Sequence, residues 1–462
     1  MKPASRQREP SFQVRDSPFT VAMRDPNHQA TFSLFLAGQA LLASATLVLY
    51  FFDRDQFHSD LDTFVRIFSP IQASFLLEVI CTAAVLLLLP AVRMERSILR
   101  AVVYPLVVTF TALIIIMTPV ILRNVYNTHP VLSCGMCMQQ IRFIMKIISF
   151  LSENGPGSQA QVKDENENNN DFYSPPISDP EGQVVISQSK PTISSLIYFM
   201  FAPTLIYQHS YPRYPNPTNW LMVVVYMVQW LLLLIPSILL MNHQMLPLWS
   251  EIGVKAITPH FLYHMFLWSI VMSGLFWLGI GYCFLHCWLN MWAEMLRFGD
   301  RMFYKNWWSA RNGLHAWGLW NYMIHLWIAR YIFIPCIKRT KSRIFALLYT
   351  FTISAFFHDY LISFAVGFFF PYLLMVVIFV VTPATPVFLL LNYFLKFIPL
   401  PPTNVHVFVG AILSIAIGMM AAVFEYNSRQ NCPMLTDSFW HTVLVPRSFS
   451  CLSFDFRLTW IS

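Results

Sequence analysis

The stretch SAFFHDY, residues 354–360, places a histidine and an aspartate inside a run that is otherwise apolar or aromatic. Ionisable side chains at membrane depth are costly and usually face a cavity or a partner. A neutral imidazole there can serve as a general base near pH 7. Ser354 precedes His358 by four residues and shares its helix face, whereas Asp359 points about 100° away. Local spacing therefore does not predict a Ser-His-Asp triad.

A second polar pair lies in WNYMIHLW, residues 320–327, where Asn321 and His325 are four residues apart. On a continuous helix they would share one face, and an amide could donate to an oxygen that gains negative charge. With His358 as base, the set suits acyl transfer to a lipid hydroxyl. The residues alone leave two alternatives open, which are interhelical hydrogen bonds and a proton relay in a transporter.

The composition indicates that these side chains lie in a membrane protein. Of 462 residues, 56% are hydrophobic and only 11% are charged, whereas a soluble protein carries roughly a quarter charged residues. Apolar stretches that approach or exceed the roughly 20 residues needed to cross a bilayer predict an all-α polytopic bundle with about nine transmembrane helices. The predicted spans are 31–52, 70–92, 101–122, 220–241, 262–289, 317–336, 344–370, 372–397 and 405–425.

Composition also divides the chain. We predict a flexible cytosolic tail over 1–30, an N-terminal transmembrane part over 31–152, a disordered linker over 153–192 and a catalytic core over 193–462. Within the second part, residues 139–154 have the spacing of an amphipathic helix, either on the membrane surface or packed on the bundle.

Charge and cysteine spacing give no indication of a nucleic-acid-binding protein or a zinc protein. The net charge of +7 suits a protein that lies against anionic membrane lipid, and nothing indicates nucleic-acid binding. Basic residues place the N-terminus and the loop near residue 96 in the cytosol, opposite the acidic loop 53–69. The eight cysteines have no zinc spacing, so no metal site is predicted.

Six stretches in order over about 140–451 resemble the sterol O-acyltransferase branch of the membrane-bound O-acyltransferase family. They are QQIRFIMKIISFLSEN, FAPTLIYQHSYPR, FLHCWLNMWAEMLRFGDRMFYKNWW, WNYMIHLW, SAFFHDY and RQNCPMLTDSFWHTVLVPRSFSC. The first 130 residues are similar only in hydropathy.

The resemblance implies a role for each matching position. His358 matches the catalytic histidine, Asn321 the amide beside the thioester, and Trp320 its neighbour in the reaction chamber. Four further residues match positions at or near the acyl-CoA: His315, His325, Lys341 and Ser354. The resemblance also implies a lumenal disulfide between Cys432 and Cys451.

The sequence departs from the family pattern at several positions. FYKNWWS has Asn306 where the family has an acid and Ser309 where it has an amide. Gly318 stands in place of an arginine near the acyl-CoA entrance, and His315 in place of an asparagine. Asp359 replaces a glutamate after the catalytic histidine. These changes leave acyl-CoA affinity and substrate choice open.

The resemblance implies an endoplasmic-reticulum enzyme that moves a long-chain fatty acyl group from acyl-CoA to a sterol, forming esters for storage. Acyl-CoA is then a co-substrate, no cofactor is needed, and the chain assembles as a dimer or tetramer. Two alternatives are another lipid alcohol as acceptor (diacylglycerol, retinol or a fatty alcohol) and a non-catalytic protein that binds or transports lipid.

Overall fold

The computed structural model describes residues 12–94, 98–155, 190–310, 313–378, 405–432, 438 and 445–455. Within these ranges the regular structure is helical, with a few isolated β-bridges. Most of the predicted linker 153–192 and most of the predicted span 372–397 lie outside the described residues.

The helices are numbered in chain order. The N-terminal half contains α1 (Pro18–Ala22), α2 (Pro26–Phe52), α3 (Arg54–Phe68), α4 (Gln72–Leu86), α5 (Leu88–Arg93), α6 (Ile98–Tyr126) and α7 (Pro130–Asn154). The C-terminal half contains α8 (Ile193–Phe201), α9 (Trp220–Leu240), α10 (Leu246–Ser250), α11 (Pro259–Leu278), α12 (Leu289–Met295), α13 (Gly313–Trp320), α14 (Tyr322–Ile328), α15 (Ile334–Thr340), α16 (Arg343–Val366), α17 (Tyr372–Val376), α18 (Val405–Asn431) and α19 (Ser448–Cys451). Segments of π-helix at Met241–Met245, Gly279–Trp288 and Ala329–Phe333 and a 3-10 turn at Trp307–Ser309 join some of them.

Seven helices among the described residues are long and apolar enough to cross a membrane, so the chain is a multi-pass membrane protein. They are Phe57–Arg93, Ile98–Tyr126, Pro130–Asn154, Trp220–Ser250, Pro259–Met295, Arg343–Val366 and Phe408–Asn431. The predicted number of about nine is not confirmed. The predicted span 317–336 is instead divided into α13, α14, a π-helical turn and α15.

The acidic stretch 53–69, predicted as a loop, mostly forms the helix α3. Asp60 on this helix is buried and accepts hydrogen bonds from Asn242 Nδ2 at 2.5 Å and from His243 Nε2 at 2.9 Å. Asp60 ties the N-terminal part to the π-helical turn after α9, because a buried carboxylate needs partners.

The predicted amphipathic helix 139–154 belongs to α7 and packs inside the bundle, which settles the alternative of a surface helix. Arg142 pairs with Glu78 at 2.5 Å and donates to the Met200 carbonyl at 2.7 Å. Lys146 is fully buried and donates to the carbonyls of Phe199, Met200 and Ala202, at 2.5, 2.8 and 2.8 Å. The last carbonyls of a helix lack intrahelical partners, so these two cations cap the C-terminus of α8.

We expect Lys146→Met to lower stability strongly, by about 3 kcal/mol or more, because three buried carbonyls lose a charged donor. Fluorescence-detected size-exclusion chromatography after heating would measure the thermal midpoint. The matched control is Lys255→Met, since Lys255 lies on the surface and its side chain is 66% exposed. Equal midpoints for the two variants would show that the carbonyls find other partners.

Residues 12–24, expected within a flexible tail, lie against the C-terminal half. Arg15 donates to both Asp300 carboxylate oxygens, at 2.6 and 2.9 Å. Its backbone bridges the same loop through Arg15 N to Gly299 O and Arg301 N to Arg15 O, each at 3.0 Å. Ser17 is buried, and its side chain caps α1 by accepting from Thr20 N. This segment is therefore part of the packed structure.

The C-terminal segment is held at the end of α18 by a buried glutamate. Glu425 accepts from Arg447 N at 2.9 Å, from Ser448 N at 3.1 Å and from Ser448 Oγ at 2.8 Å. Arg429 also donates to it at 2.6 Å. Close by, Cys432 and Cys451 form a disulfide, the pairing that the resemblance implies. The PRS…C stretch is thus anchored both ionically and covalently.

Candidate active site

His358 lies in the second half of α16, the helix that Ser342 begins as N-cap and Gly367 ends in a left-handed conformation. Its Nδ1 is 2.7 Å from the backbone carbonyl of Ser354. A carbonyl only accepts, so Nδ1 carries the proton and the lone pair is on Nε2. The ring is exposed, which leaves Nε2 accessible to a substrate hydroxyl. The backbone carbonyl of Ser354 thus orients the ring.

Asp359 does not orient His358, as the spacing predicted. It is buried, and its two oxygens accept from Leu373 N at 2.8 Å and from Leu374 N at 2.7 Å. These groups begin α17, where free backbone N–H groups favour a carboxylate. The acid after the histidine therefore fixes the neighbouring helix, and the aspartate in place of the family's glutamate reaches it directly.

Asn321 interrupts the helix that the sequence analysis had treated as continuous. Its backbone, at φ −120° and ψ 80°, separates α13 from α14. The side-chain oxygen accepts from Ile324 N at 3.2 Å as the N-cap of α14. The prediction that Asn321 and His325 share one face of an unbroken helix is wrong, because the asparagine ends one helix and starts the next. Within the part of the chain that the structure describes, its Nδ2 donates no hydrogen bond to the protein.

The FYKNWWS segment, residues 303–309, contacts the residues on both sides of the helix break at Asn321. Phe303 O accepts from Tyr322 N at 3.0 Å, and Lys305 N donates to Leu319 O at 2.9 Å. Lys305 Nζ also lies 3.8 Å from the centre of the Tyr322 ring, a cation–π contact. The segment therefore positions Asn321 through its backbone.

The substitution at Asn306 affects this turn little, because the turn is made by the main chain. Asn306 O accepts from Ser309 N at 3.2 Å and from Ser309 Oγ at 2.7 Å. The serine at 309 thus supplies a turn contact with its own hydroxyl.

Trp320, the last residue of α13, belongs to a cluster of tryptophans. Its ring centre is 4.5 Å from that of Trp307 and 4.8 Å from that of Trp277. Gly281 lies beneath it, and a Cβ there would come within 2.7 Å of the indole. The cluster fixes an apolar wall next to Asn321, consistent with the chamber position that the resemblance implies.

The residues matched to acyl-CoA contacts lie in different settings. His325 on α14 contacts the Trp317 ring edge-on at 5.6 Å. A Cβ on Gly318 would be 3.5 Å from His325 Cε1, so the histidine occupies the space beside the missing family arginine. Lys341 is exposed and ends α15 in a left-handed conformation, φ 56°. His315 is exposed in the first turn of α13.

Trp317 lies between the predicted site residues of α14 and the helix that carries His358. It contacts His325 on α14, and its ring centre is 5.1 Å from that of Phe351, two turns before His358 on α16. Within the described residues, His358 has no hydrogen bond to Asn321 or His325. The Trp317–Phe351 contact therefore brings α13 against α16, while His358 itself stays exposed.

His286 is a buried histidine to which the sequence analysis assigned no role. His286 Nδ1 is 2.8 Å from Tyr304 Oη and 3.2 Å from Asn290 Nδ2. An amide nitrogen only donates, so Nδ1 accepts here. Burial raises the pKa of the Tyr304 phenol, which keeps it a neutral donor. This cluster supports FYKNWWS from the side opposite Asn321, and the i, i+4 spacing of His286 and Asn290 is its only sequence signal.

The model of the membrane-bound O-acyltransferase family matches residues 178–417. The chain belongs to the membrane-bound O-acyltransferase family.

Curated relatives align over most of the chain. It is 27% identical over 461 residues to sterol O-acyltransferase 2 of Homo sapiens, an alignment that covers 97% of this chain and 82% of that protein. It is 28% identical over 452 residues to sterol O-acyltransferase 2 of Rattus norvegicus, covering 95% and 80%. It is 32% identical over 336 residues to sterol O-acyltransferase 1 of Macaca fascicularis, covering 71% of this chain and 55% of that protein.

Proposed function

We propose that this protein is an acyl-CoA-dependent sterol O-acyltransferase that forms sterol esters. The observation that carries the proposal is the contact of His358 Nδ1 with the Ser354 carbonyl, which leaves Nε2 as an exposed base in a membrane acyltransferase. The similarity to sterol O-acyltransferases 1 and 2 supports a sterol as acceptor and a fatty acyl group as the transferred unit.

In the proposed mechanism, His358 Nε2 takes the proton from the sterol hydroxyl as its oxygen attacks the thioester carbonyl of acyl-CoA. The oxyanion of the tetrahedral intermediate receives hydrogen bonds from Asn321 Nδ2, because Oδ1 is occupied as the α14 cap. Collapse breaks the carbon–sulfur bond, and the imidazolium returns the proton to the CoA sulfur. The acyl group passes directly to the sterol, so no acyl-enzyme forms and no cofactor takes part.

Acyl-CoA recognition is proposed for His315, His325, Lys341 and Ser354, with Trp320 on the chamber wall. The exposed ammonium of Lys341 is suited to the CoA phosphates. His325 takes the place next to Gly318 where an arginine side chain would otherwise reach. We further propose that the protein resides in the endoplasmic-reticulum membrane as a homo-oligomer.

Microsomes from cells that lack their own sterol acyltransferase would test the reaction. Labelled oleoyl-CoA is supplied in parallel with a sterol, a diacylglycerol, retinol and a fatty alcohol, and the esters are separated. We expect sterol ester to form preferentially. Preferential ester formation from another alcohol would keep the chemistry and replace the acceptor, whereas no ester from any acceptor would overturn the proposal and favour a binding protein.

A further inference from the structure

Three consecutive residues of the SAFFHDY stretch, His358, Asp359 and Tyr360, point in three directions. Successive residues of a helix are rotated by about 100°, so Tyr360 lies about 160° from His358 round α16. His358 is exposed, Asp359 caps α17, and Tyr360 Oη donates to Gln140 Oε1 on α7 at 2.7 Å. The back of the catalytic helix is thus tied to the N-terminal part of the protein.

Gln140 is 1% exposed, and all the hydrogen-bonding groups of its side chain are used. While Oε1 accepts from Tyr360, Nε2 donates to Ile115 O at 3.1 Å and to Ile116 O at 3.2 Å on α6. The amide therefore has one orientation, since a flip would face its nitrogen to the phenol and its oxygen to two carbonyls.

A proline in α6 leaves the backbone carbonyl of Ile115 free to accept the hydrogen bond from Gln140. Pro119 lies within α6 and has no N–H, so Ile115 O lacks its normal partner four residues on. An unsatisfied carbonyl inside a bilayer is costly, and a neighbouring side chain commonly supplies the missing donor. Gln140 Nε2 supplies this missing donor. Because the nitrogen must face Ile115 O, the Oε1 of the same amide must face Tyr360.

We propose that Gln140 is a positioning residue for the catalytic base, acting through Tyr360 to set the rotation of α16 and so the direction of His358. Gln140 lies outside the region that matches the family model, residues 178–417. This inference rests on the proposed function. It assigns the N-terminal helices a share in catalysis rather than in membrane anchoring alone.

A second contact from α6 supports the same arrangement. Arg123 lies 3.5 Å from the Ala365 carbonyl and 5.3 Å from the centre of the Phe364 ring, at the C-terminal end of α16. A Cβ on Gly367 would come within 2.7 Å of its guanidinium. The N-terminal part therefore holds α16 at its C-terminal end and at Tyr360, and the hydrogen bond at Tyr360 is the nearer of these two contacts to His358 along the helix.

A double-mutant cycle with purified full-length protein tests the proposal. Tyr360→Phe removes only the hydroxyl, and Gln140→Met removes the amide with little change in volume. We expect each variant to lose about tenfold in kcat with little change in KM for oleoyl-CoA, because a displaced base slows the chemical step rather than binding. The double variant should lose about as much as either single one, because both remove the same contact.

Tyr349→Phe is the matched control, since Tyr349 lies on the same helix and is 46% exposed. It should keep kcat and the thermal midpoint. Unchanged kcat in Tyr360→Phe, a change in KM alone, or additive losses in the double variant would each overturn the proposal. Absence of ester from wild type would refute the proposed function first, and this inference would fall with it.

Discussion

His358→Ala is expected to abolish ester formation, with a loss of about 10²–10⁴-fold in kcat. In the proposed mechanism the imidazole removes the acceptor proton, and its Nδ1 is already engaged by the Ser354 carbonyl. The alanine variant keeps the helix, since the ring is exposed and its removal leaves no cavity. Labelled ester formed per unit of folded protein would measure the effect.

The control for this variant is a histidine that does no chemistry. His260 is exposed in the first turn of α11, so His260→Ala should retain full activity. A His358→Ala protein with more than about a tenth of wild-type activity would contradict the assignment. His286, the buried histidine beside Tyr304, would then be the next base to test through His286→Gln.

Asn321→Asp is expected to lower kcat by about 10²–10³-fold while the protein stays folded. Aspartate is as good an N-cap as asparagine, so its carboxylate still accepts from Ile324 N. It has no N–H to offer, and its charge repels the developing oxyanion. This one substitution therefore keeps the N-cap of α14 and removes only the proposed hydrogen-bond donor to the oxyanion.

Asn321→Ala completes the comparison because it removes cap and donor together. We expect the same loss of kcat and, in addition, about 1 kcal/mol less stability from the lost cap. Ester formation under single turnover and thermal midpoints of wild type and both variants would be compared. A normal rate in Asn321→Asp would place the oxyanion donor on another residue and leave Asn321 a purely structural cap.

The sequence predicted the class of the protein, and it singled out His358 as the candidate base, from local properties of the chain. Hydropathy reports whether a segment can replace water with lipid, so the membrane fold follows from composition. A histidine in an apolar run is costly, and His358 was the natural candidate for a functional group. The rotation of about 100° per helical residue predicted that Asp359 would point away from His358. The hydrogen bonds of Asp359 with Leu373 N and Leu374 N confirm this.

Other features depended on partners far away in the chain. The periodicity of 139–154 was equally consistent with a membrane surface, and only the free carbonyls of α8 explain why Lys146 is buried. The break at Asn321 was missed because Trp, Tyr and Met on both sides continue the helical pattern. Its cause is the FYKNWWS segment, in which Lys305 N donates to Leu319 O and Phe303 O accepts from Tyr322 N.

By itself the sequence determined a polytopic helical protein, its acyltransferase family motifs and the histidine at the centre of the proposed reaction. Only the tertiary structure decided how that histidine is presented, with Nδ1 bonded to a carbonyl and the helix secured through Tyr360 and Gln140. The physical reason is that hydropathy and spacing are local properties. Hydrogen bonds between residues 220 positions apart form only when the packed helices bring a buried donor to a carbonyl or amide oxygen that water cannot reach.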